Sequence, residues 1–217
     1  MILILFYVLL AAMLFSIICG SLQYRKIDRS TRIVLLLLIF AITGEVSARL
    51  SYYWFQMKNP VYHVTAVISL TLVTAYYIDL AAFRHKRLLM QLSTLLFVLT
   101  GLVNLIYFQP VTTLPTNTLR FRGLVVAVMC LSYFYKMFIS DNIVSVKRHP
   151  HFWITMLLVF IYCFTYFFWS YIHALYAANN HHELARVIQL VINIISYGAF
   201  GFVFLYYPKM INNDARQ

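Results

Sequence analysis

The sequence predicts an all-α integral membrane protein, folded as one bundle of seven transmembrane helices. Of its 217 residues, 63% are hydrophobic and only 11% are charged, whereas a soluble domain is about half apolar with roughly 25% charged residues. A chain of this composition cannot hide its apolar surface inside a single water-soluble core. Aromatic residues make up 18% of the chain, which suits the tyrosine and tryptophan belts of a membrane–water interface.

Seven apolar segments are each long enough to cross about 30 Å of hydrocarbon as a helix. They cover residues 2–22, 33–55, 61–83, 88–108, 123–139, 152–176 and 184–207. The connections are short and polar, and several carry prolines that start or stop helices, with Pro208 expected to end the last one. No stretch is left for a soluble domain, so residues 1–217 are predicted to form one transmembrane domain.

The first segment has the position of a signal peptide but not its pattern. It lacks a basic n-region, its apolar run is longer than a usual h-region, and no A-x-A-like cleavage site follows it. We therefore expect this segment to be a retained helix.

Basic residues are concentrated on one side of the seven segments. One side has twelve: Arg25, Lys26, Arg29, Arg32, Arg84, Lys86, Arg87, Lys136, Lys147, Arg148, Lys209 and Arg216. The other side has four: Lys58, Arg120, Arg122 and Arg186. This bias places the N-terminus outside and the C-terminus in the cytoplasm. The net charge of +11 therefore indicates contact with anionic lipid rather than binding of nucleic acid.

Charged side chains inside a membrane need partners, because each costs at least about 2.5–3.5 kcal/mol on insertion scales. Glu45 and Arg49 lie one helical turn apart in the second segment, in the order that favours an intrahelical pair. With the predicted orientation, the outer half collects seven polar residues: Glu45, Arg49, His63, Asn104, His173, Gln189 and Asn193. The inner half holds far less, namely Asp79, Gln91 and Lys136 near the interface.

These seven outer residues are predicted to form a ligand-binding pocket open to the extracytoplasmic side. The second, third, sixth and seventh segments would build it. A network that only fixes helix packing is an equally supported alternative, because polar side chains also join helices within membranes.

Neither a cofactor nor a metal is predicted. His63 and His173 lie at similar depth on different helices, as the ligands of a haem or a metal could, but the recurring histidine pairs typical of such sites are absent. The three cysteines lie singly inside apolar segments, without a CxxC pair. The sequence also lacks G-x-S-x-G, Walker A, HExxH and S-x-x-K motifs, so no catalytic residue is assigned.

Three short motifs follow one another along the chain. Glu45 lies late in the second segment, Asn59-Pro60-Val61-Tyr62-His63 opens the third, and His149-Pro150-His151-Phe152-Trp153-Ile154 opens the sixth. This order resembles a group of uncharacterised seven-helix integral membrane proteins of Bacteroidetes-type bacteria, in which an acidic residue in helix 2 precedes an N-x-P-x-Y-H-like turn and a P-x-F-W-I-like stretch begins helix 6. The resemblance spans most of the chain. It implies the same architecture in a bacterial inner membrane, and no activity.

Three functions stay open at this stage. The favoured one is a non-enzymatic sensor or regulatory or accessory protein, whose outer pocket binds a small ligand or lipid and whose basic cytoplasmic loops contact a protein partner. The second is a channel, pore or transporter subunit, acting alone or as a homo-oligomer; small membrane proteins of this size also accompany some bacterial immune systems, including CRISPR loci. The third is an intramembrane enzyme that uses Glu45 as acid or base near His63 or His173.

Overall fold

A computed structural model describes residues 2–57, 59–80, 84–110, 113, 115–139, 149–177 and 182–214. Within these ranges the chain is helical and contains no strand, as predicted. The seven helices are α1 (Ile2–Leu22), α2 (Arg29–Phe55), α3 (Asn59–Leu80), α4 (Arg84–Val103), α5 (Thr116–Ile139), α6 (Pro150–Ala177) and α7 (His182–Asp214). A five-residue π-helical segment, Asn104–Phe108, continues α4.

Six helices in the described ranges are long and apolar enough to cross a membrane: α1, α2, α3, α5, α6 and α7. The chain is therefore a multi-pass membrane protein. α4 differs because it opens with four basic residues, RHKR, and the apolar helix here is the shorter stretch Thr94–Phe108. A helix thus occupies the place predicted for the span at 88–108, but it is not among the six.

Six of the helices form a closed ring in which each one packs against the next. The order around the ring is α1, α2, α3, α5, α6 and α7, and α7 packs back against α1. α4 packs outside this ring, against α3 and α5. Side chains that point into the ring therefore meet partners from several helices.

The two ends of the bundle differ in charge. We call one of them the basic end; it consists of the α1–α2 turn, the starts of α2 and α6, and the ends of α3, α5 and α7. Most of the buried core lies in the half of the ring next to this end. Its innermost part is a fully buried set of side chains that we call the apolar layer: Leu38, Leu70, Val126, Leu158 and Phe200.

The contact between α1 and α7 closes the ring, and small residues bring these two helices together. The hydroxyl of Ser16 on α1 donates a hydrogen bond to the carbonyl oxygen of Tyr197 on α7. A side chain at Gly201 would collide with the ring of Phe15. The two backbones therefore approach closely along this contact.

α7 continues past Pro208 to Asp214, so the prediction that this proline ends the last helix was wrong. A proline removes one backbone donor and crowds the carbonyl four residues earlier. Membrane helices tolerate that loss where neighbouring groups replace the missing hydrogen bond. Pro60 and Pro150 behave as expected, since both lie in the first turn of a helix.

Candidate functional site

A cluster of polar side chains lies at the basic end, where the α1–α2 turn meets α3, α6 and α7. The carboxylate Oδ2 of Asp28 lies 3.1 Å from Nε2 of His151. The hydroxyl of Tyr76 lies 3.2 Å from Nδ1 of the same imidazole. The backbone N–H of Asp28 donates to the hydroxyl of Tyr207 at 3.4 Å. We call these four residues the Asp28–His151 cluster.

Local sequence places both members of the pair at the start of a helix. Asp28 is the N-cap of α2, and its Oδ1 accepts a hydrogen bond from the backbone N–H of Thr31 at 2.9 Å, which is the usual role of aspartate at this position. His151 follows Pro150, the first residue of α6. The imidazole is 9% exposed and the carboxylate 38% exposed, so water reaches the pair from the side of Asp28.

The carboxylate of Asp28 is held in its charged form. Burial alone would raise the pKa of Asp28, but the hydrogen bond and charge of His151, together with the hydrogen bonds from Thr31, hold that pKa well below its ordinary value. Asp28 therefore presents a permanent negative charge to the imidazole at neutral pH.

The lowered pKa of Asp28 makes the stability of the protein depend on acid. The folded-state pKa of Asp28 lies below the unfolded value of about 3.9. The ionised carboxylate therefore stabilises the folded protein above that pH, and this stabilisation is lost as the pH falls through the folded-state pKa. We expect the melting temperature of the detergent-solubilised protein to drop below about pH 4, and to drop less in Asp28→Asn. Glu183→Gln, at an exposed position in the first turn of α7, should keep the wild-type profile. Identical profiles for wild type and Asp28→Asn would contradict this assignment.

A second contact joins the start of α2 to the end of α3. The hydroxyl of Ser30 donates to Oδ2 of Asp79 at 2.7 Å, and Nε of Arg29 lies 3.8 Å from Oδ1. The Arg29 side chain is 86% exposed, so this ion pair adds little stability. The hydrogen bond from Ser30, which is itself only 3% exposed, is the stronger of the two links.

The cluster continues into the bundle through two adjacent tyrosines on α3. The rings of Tyr76 and Tyr77 meet edge to face, with centroids 4.9 Å apart. The hydroxyl of Tyr77 lies 2.9 Å from the sulfur of Cys130 on α5. Beyond Cys130 the apolar layer begins, so the polar contacts from the basic end stop there.

A second group of polar side chains lies on the other side of the apolar layer. Nη1 of Arg122 donates to the hydroxyl of Ser69 at 2.7 Å, and the guanidinium lies 5.1 Å from the ring centroid of Tyr162. Tyr197 lies near Tyr162, Glu45 and Arg122. Tyr62 lies near Glu45 and Arg49. We call the following residues the Glu45 layer: Glu45, Tyr62, Arg122, Tyr162 and Tyr197.

Of the seven residues predicted as a pocket, Glu45 lies in the Glu45 layer, and Arg49, Gln189 and Asn193 lie on α2 and α7, two of the helices that supply this layer. Glu45 is a half-buried member of it. Arg49 is exposed, and its guanidinium lies 3.9 Å from the ring centroid of Phe6 on α1. Gln189 and Asn193 are half-buried on α7, where Asn193 precedes Tyr197 by one helical turn.

The other three predicted residues have different surroundings. Nε2 of His63 lies 3.3 Å from the carbonyl oxygen of Thr113, in the connection before α5. The amide of Asn104 donates to the side chains of Gln109 and Thr118, which ties the π-helical segment to α5. The side chain of His173 lies outside the described part of the chain. His63 and Asn104 therefore hold this connection in place.

The Asp28–His151 cluster was not predicted from the sequence. The sequence predicts only Asp79, Gln91 and Lys136 as polar residues of the inner half, all near the interface, and it assigns no site to Asp28 or His151. One signal was available: Asp28 stands three residues before Thr31 at the start of an apolar segment, the usual pattern of an N-cap. Nothing local indicated that His151 would be its partner.

Neither polar group identifies the protein by itself. Among the described residues, no three His, Cys, Asp or Glu side chains are arranged to hold a metal ion. Comparison of the chain with protein-family models, curated proteins and solved structures found no match. The two polar groups and the apolar layer between them are the features from which a function can be inferred.

Proposed function

We propose that this chain is a non-enzymatic membrane sensor or regulatory protein that couples the Glu45 layer to the Asp28–His151 cluster. The supporting observation is that the same helices supply both groups. α3 contributes Tyr62 to the first and Tyr76 to the second. α7 contributes Tyr197 and Tyr207 in the same way. At 1.5 Å per residue, the members of each pair are about 15 to 21 Å apart along their helix.

The apolar layer makes such coupling mechanically reasonable. Its five side chains are fully buried, and a close-packed interior transmits strain instead of absorbing it. A ligand that changes the spacing of α3 and α7 at the Glu45 layer would therefore shift both helices at the basic end. The carboxylate, guanidinium and tyrosine hydroxyls of the Glu45 layer suit a small polar ligand or a lipid headgroup.

The distribution of basic residues supports an orientation for this sensor. The basic end would face the cytoplasm of a bacterial inner membrane, with the N-terminus outside. α4 would be the seventh crossing, because it leads from the end of α3 back to the start of α5. Exposed Arg25, Lys26 and Arg29 would then meet anionic lipid or a cytoplasmic protein partner.

A transporter or channel subunit is the second candidate, and one observation favours it. Polar side chains lie on both sides of the apolar layer, whereas the sequence predicts far fewer of them in the inner half than in the outer half. The layer itself blocks a continuous path in this conformation. An enzyme is less well supported, because Tyr76, the phenol next to the buried His151, is only 1% exposed and offers little surface to a substrate.

Coupling between the two polar groups can be measured with a cysteine at Ser30. This residue is 3% exposed, so a membrane-impermeant maleimide labels a cysteine there only when the basic end moves. The protein is labelled in nanodiscs, and the native chain without this cysteine gives the background labelling rate. We expect Glu45→Gln to change the labelling rate of Ser30→Cys by about fivefold or more, the lower end of ordinary coupling free energies.

Thr43→Val is the matched control for this measurement. Thr43 is exposed on the same helix, and its hydroxyl donates to Phe40 of its own helix, so the labelling rate should not change. Equal rates with and without Glu45→Gln would contradict the sensor. If the reconstituted protein carries protons or solutes across vesicle membranes, and Glu45→Gln abolishes this flux, the transporter function is supported instead.

A further inference from the structure

The imidazole of His151 has a hydrogen-bonding group at each ring nitrogen. Asp28 faces Nε2 at 3.1 Å, and the hydroxyl of Tyr76 faces Nδ1 at 3.2 Å. In the neutral ring, Nε2–H donates to the carboxylate and Nδ1 accepts the phenol proton. In the protonated ring both nitrogens donate, so Tyr76 must accept from Nδ1 and send its own proton elsewhere.

An acceptor for that phenol proton is present next to Tyr76. The hydroxyl oxygen of Thr155, one turn along α6 from His151, is buried and makes no hydrogen bond of good geometry among the described residues, although the hydroxyls of Tyr76 and Tyr77 lie close enough to it for a weak interaction. Thr155 lies beside both Tyr76 and Tyr77. A buried acceptor without a partner normally costs about 1–3 kcal/mol, so a state that pairs it is favoured.

We propose that His151 is a proton-binding site at the basic end, and that its protonation redirects the Tyr76 hydroxyl from His151 to Thr155. One proton is taken up from solvent, and in the protonated ring Nδ1 carries it and donates to Tyr76; no bond between heavy atoms changes. The neutral hydrogen bond to Asp28 becomes an ion pair, which holds the α1–α2 turn more firmly against α6.

Few other groups near His151 change charge close to neutral pH. The ionisable groups that face the pair from the surrounding elements are Asp28 on the α1–α2 turn, Tyr76 on α3, Tyr133 on α5, His149 on the chain before α6, and Tyr207 on α7. Of these, only His149 is of a type that titrates between about pH 5 and 8. A test must therefore separate His149 from His151.

The ligand of the Asp28–His151 cluster is then a proton, and the biological use of this site rests on the proposed sensor function. The chemistry of the site does not rest on it, because that chemistry depends only on Asp28, His151, Tyr76 and Thr155.

The proposal predicts a pH-dependent opening of the α1–α2 turn. Hydrogen–deuterium exchange of the backbone amides of residues 23–31 would be followed in nanodiscs from pH 5 to pH 9, after correction for intrinsic exchange rates. We expect protection to fall by about fivefold or more as the pH rises, in line with ordinary coupling free energies. The change should vanish in His151→Gln and persist in His149→Gln and His63→Gln.

Thr155→Val supplies a second readout that does not depend on loss of the histidine. Without the Thr155 oxygen, the protonated state loses one hydrogen bond, so the midpoint of the exchange transition should move to lower pH by about half to one unit. Exchange independent of pH in the wild type, a transition that survives in His151→Gln, or an unshifted midpoint in Thr155→Val would each overturn the proposal. The maleimide measurement at fixed pH tests the sensor separately, so the two can fail independently.

Discussion

Replacing Gly123 with alanine is expected to destabilise the ring by about 1 to 3 kcal/mol, the usual cost of overpacking a close-packed site. A methyl group at this position would lie 2.8 Å from the carbonyl oxygen of Tyr162 and 2.9 Å from Cβ of Tyr166. Both atoms are part of α6 or directly attached to it, so no side-chain rotation relieves the collision. α5 and α6 must move apart, and Arg122, the neighbouring residue, moves with α5.

Gly198→Ala is the matched control for this substitution. No described atom lies within 4 Å of a methyl group at Gly198, and alanine favours a helix more than glycine does. Thermal unfolding of both variants in the same detergent should therefore give a clear loss of melting temperature for Gly123→Ala and none for Gly198→Ala. Equal melting temperatures would show that α5 and α6 are not in close contact at this point.

Asp28→Ala is expected to have the second large effect, a loss of about 1 to 3 kcal/mol of unfolding free energy. The substitution removes the N-cap of α2, which alone is worth about 1 kcal/mol. It also leaves the imidazole of His151, only 9% exposed, without its acidic partner. Because the Asp28 side chain is 38% exposed, water replaces part of the lost contact and keeps the cost below that of a fully buried pair.

A double-mutant cycle separates the two contributions of Asp28. Asp28→Asn keeps a good N-cap and removes the charge, and His151→Gln removes the partner. If the side chains act as a pair, the two losses should be non-additive by more than about 0.5 kcal/mol. Additive losses, measured by denaturant or thermal unfolding, would mean that Asp28 acts as an N-cap and nothing more.

The sequence predicted the bounds of a helix well where the whole helix is apolar. The first segment agrees with α1 because it is apolar from end to end. α5 begins at Thr116, well before the predicted start at residue 123, because its first turns are polar but still helical. Hydropathy marks the part of a helix that suits hydrocarbon, and the polar turns at its ends have to be found from caps and prolines.

The site was harder to predict for a different reason. Glu45 stood out because a carboxylate in an apolar run is costly and rare. Asp28 and His151 gave no such signal, since each lies at the edge of an apolar segment, where polar residues are ordinary. Their pairing depends on which helices are neighbours, and the order around the ring, with α4 outside it, is not encoded in any local pattern.

The contact between α1 and α7 also sets the order in which the protein can assemble. α1 leaves the ribosome before the other six helices, and its main partner follows after on the order of ten seconds at ordinary rates of synthesis. During that interval the face of α1 that carries Ser16 and Phe15 is without the helix it packs on. A nascent chain that stopped before α7 would be an open row, with the edges of α1 and α6 left to lipid or to a chaperone.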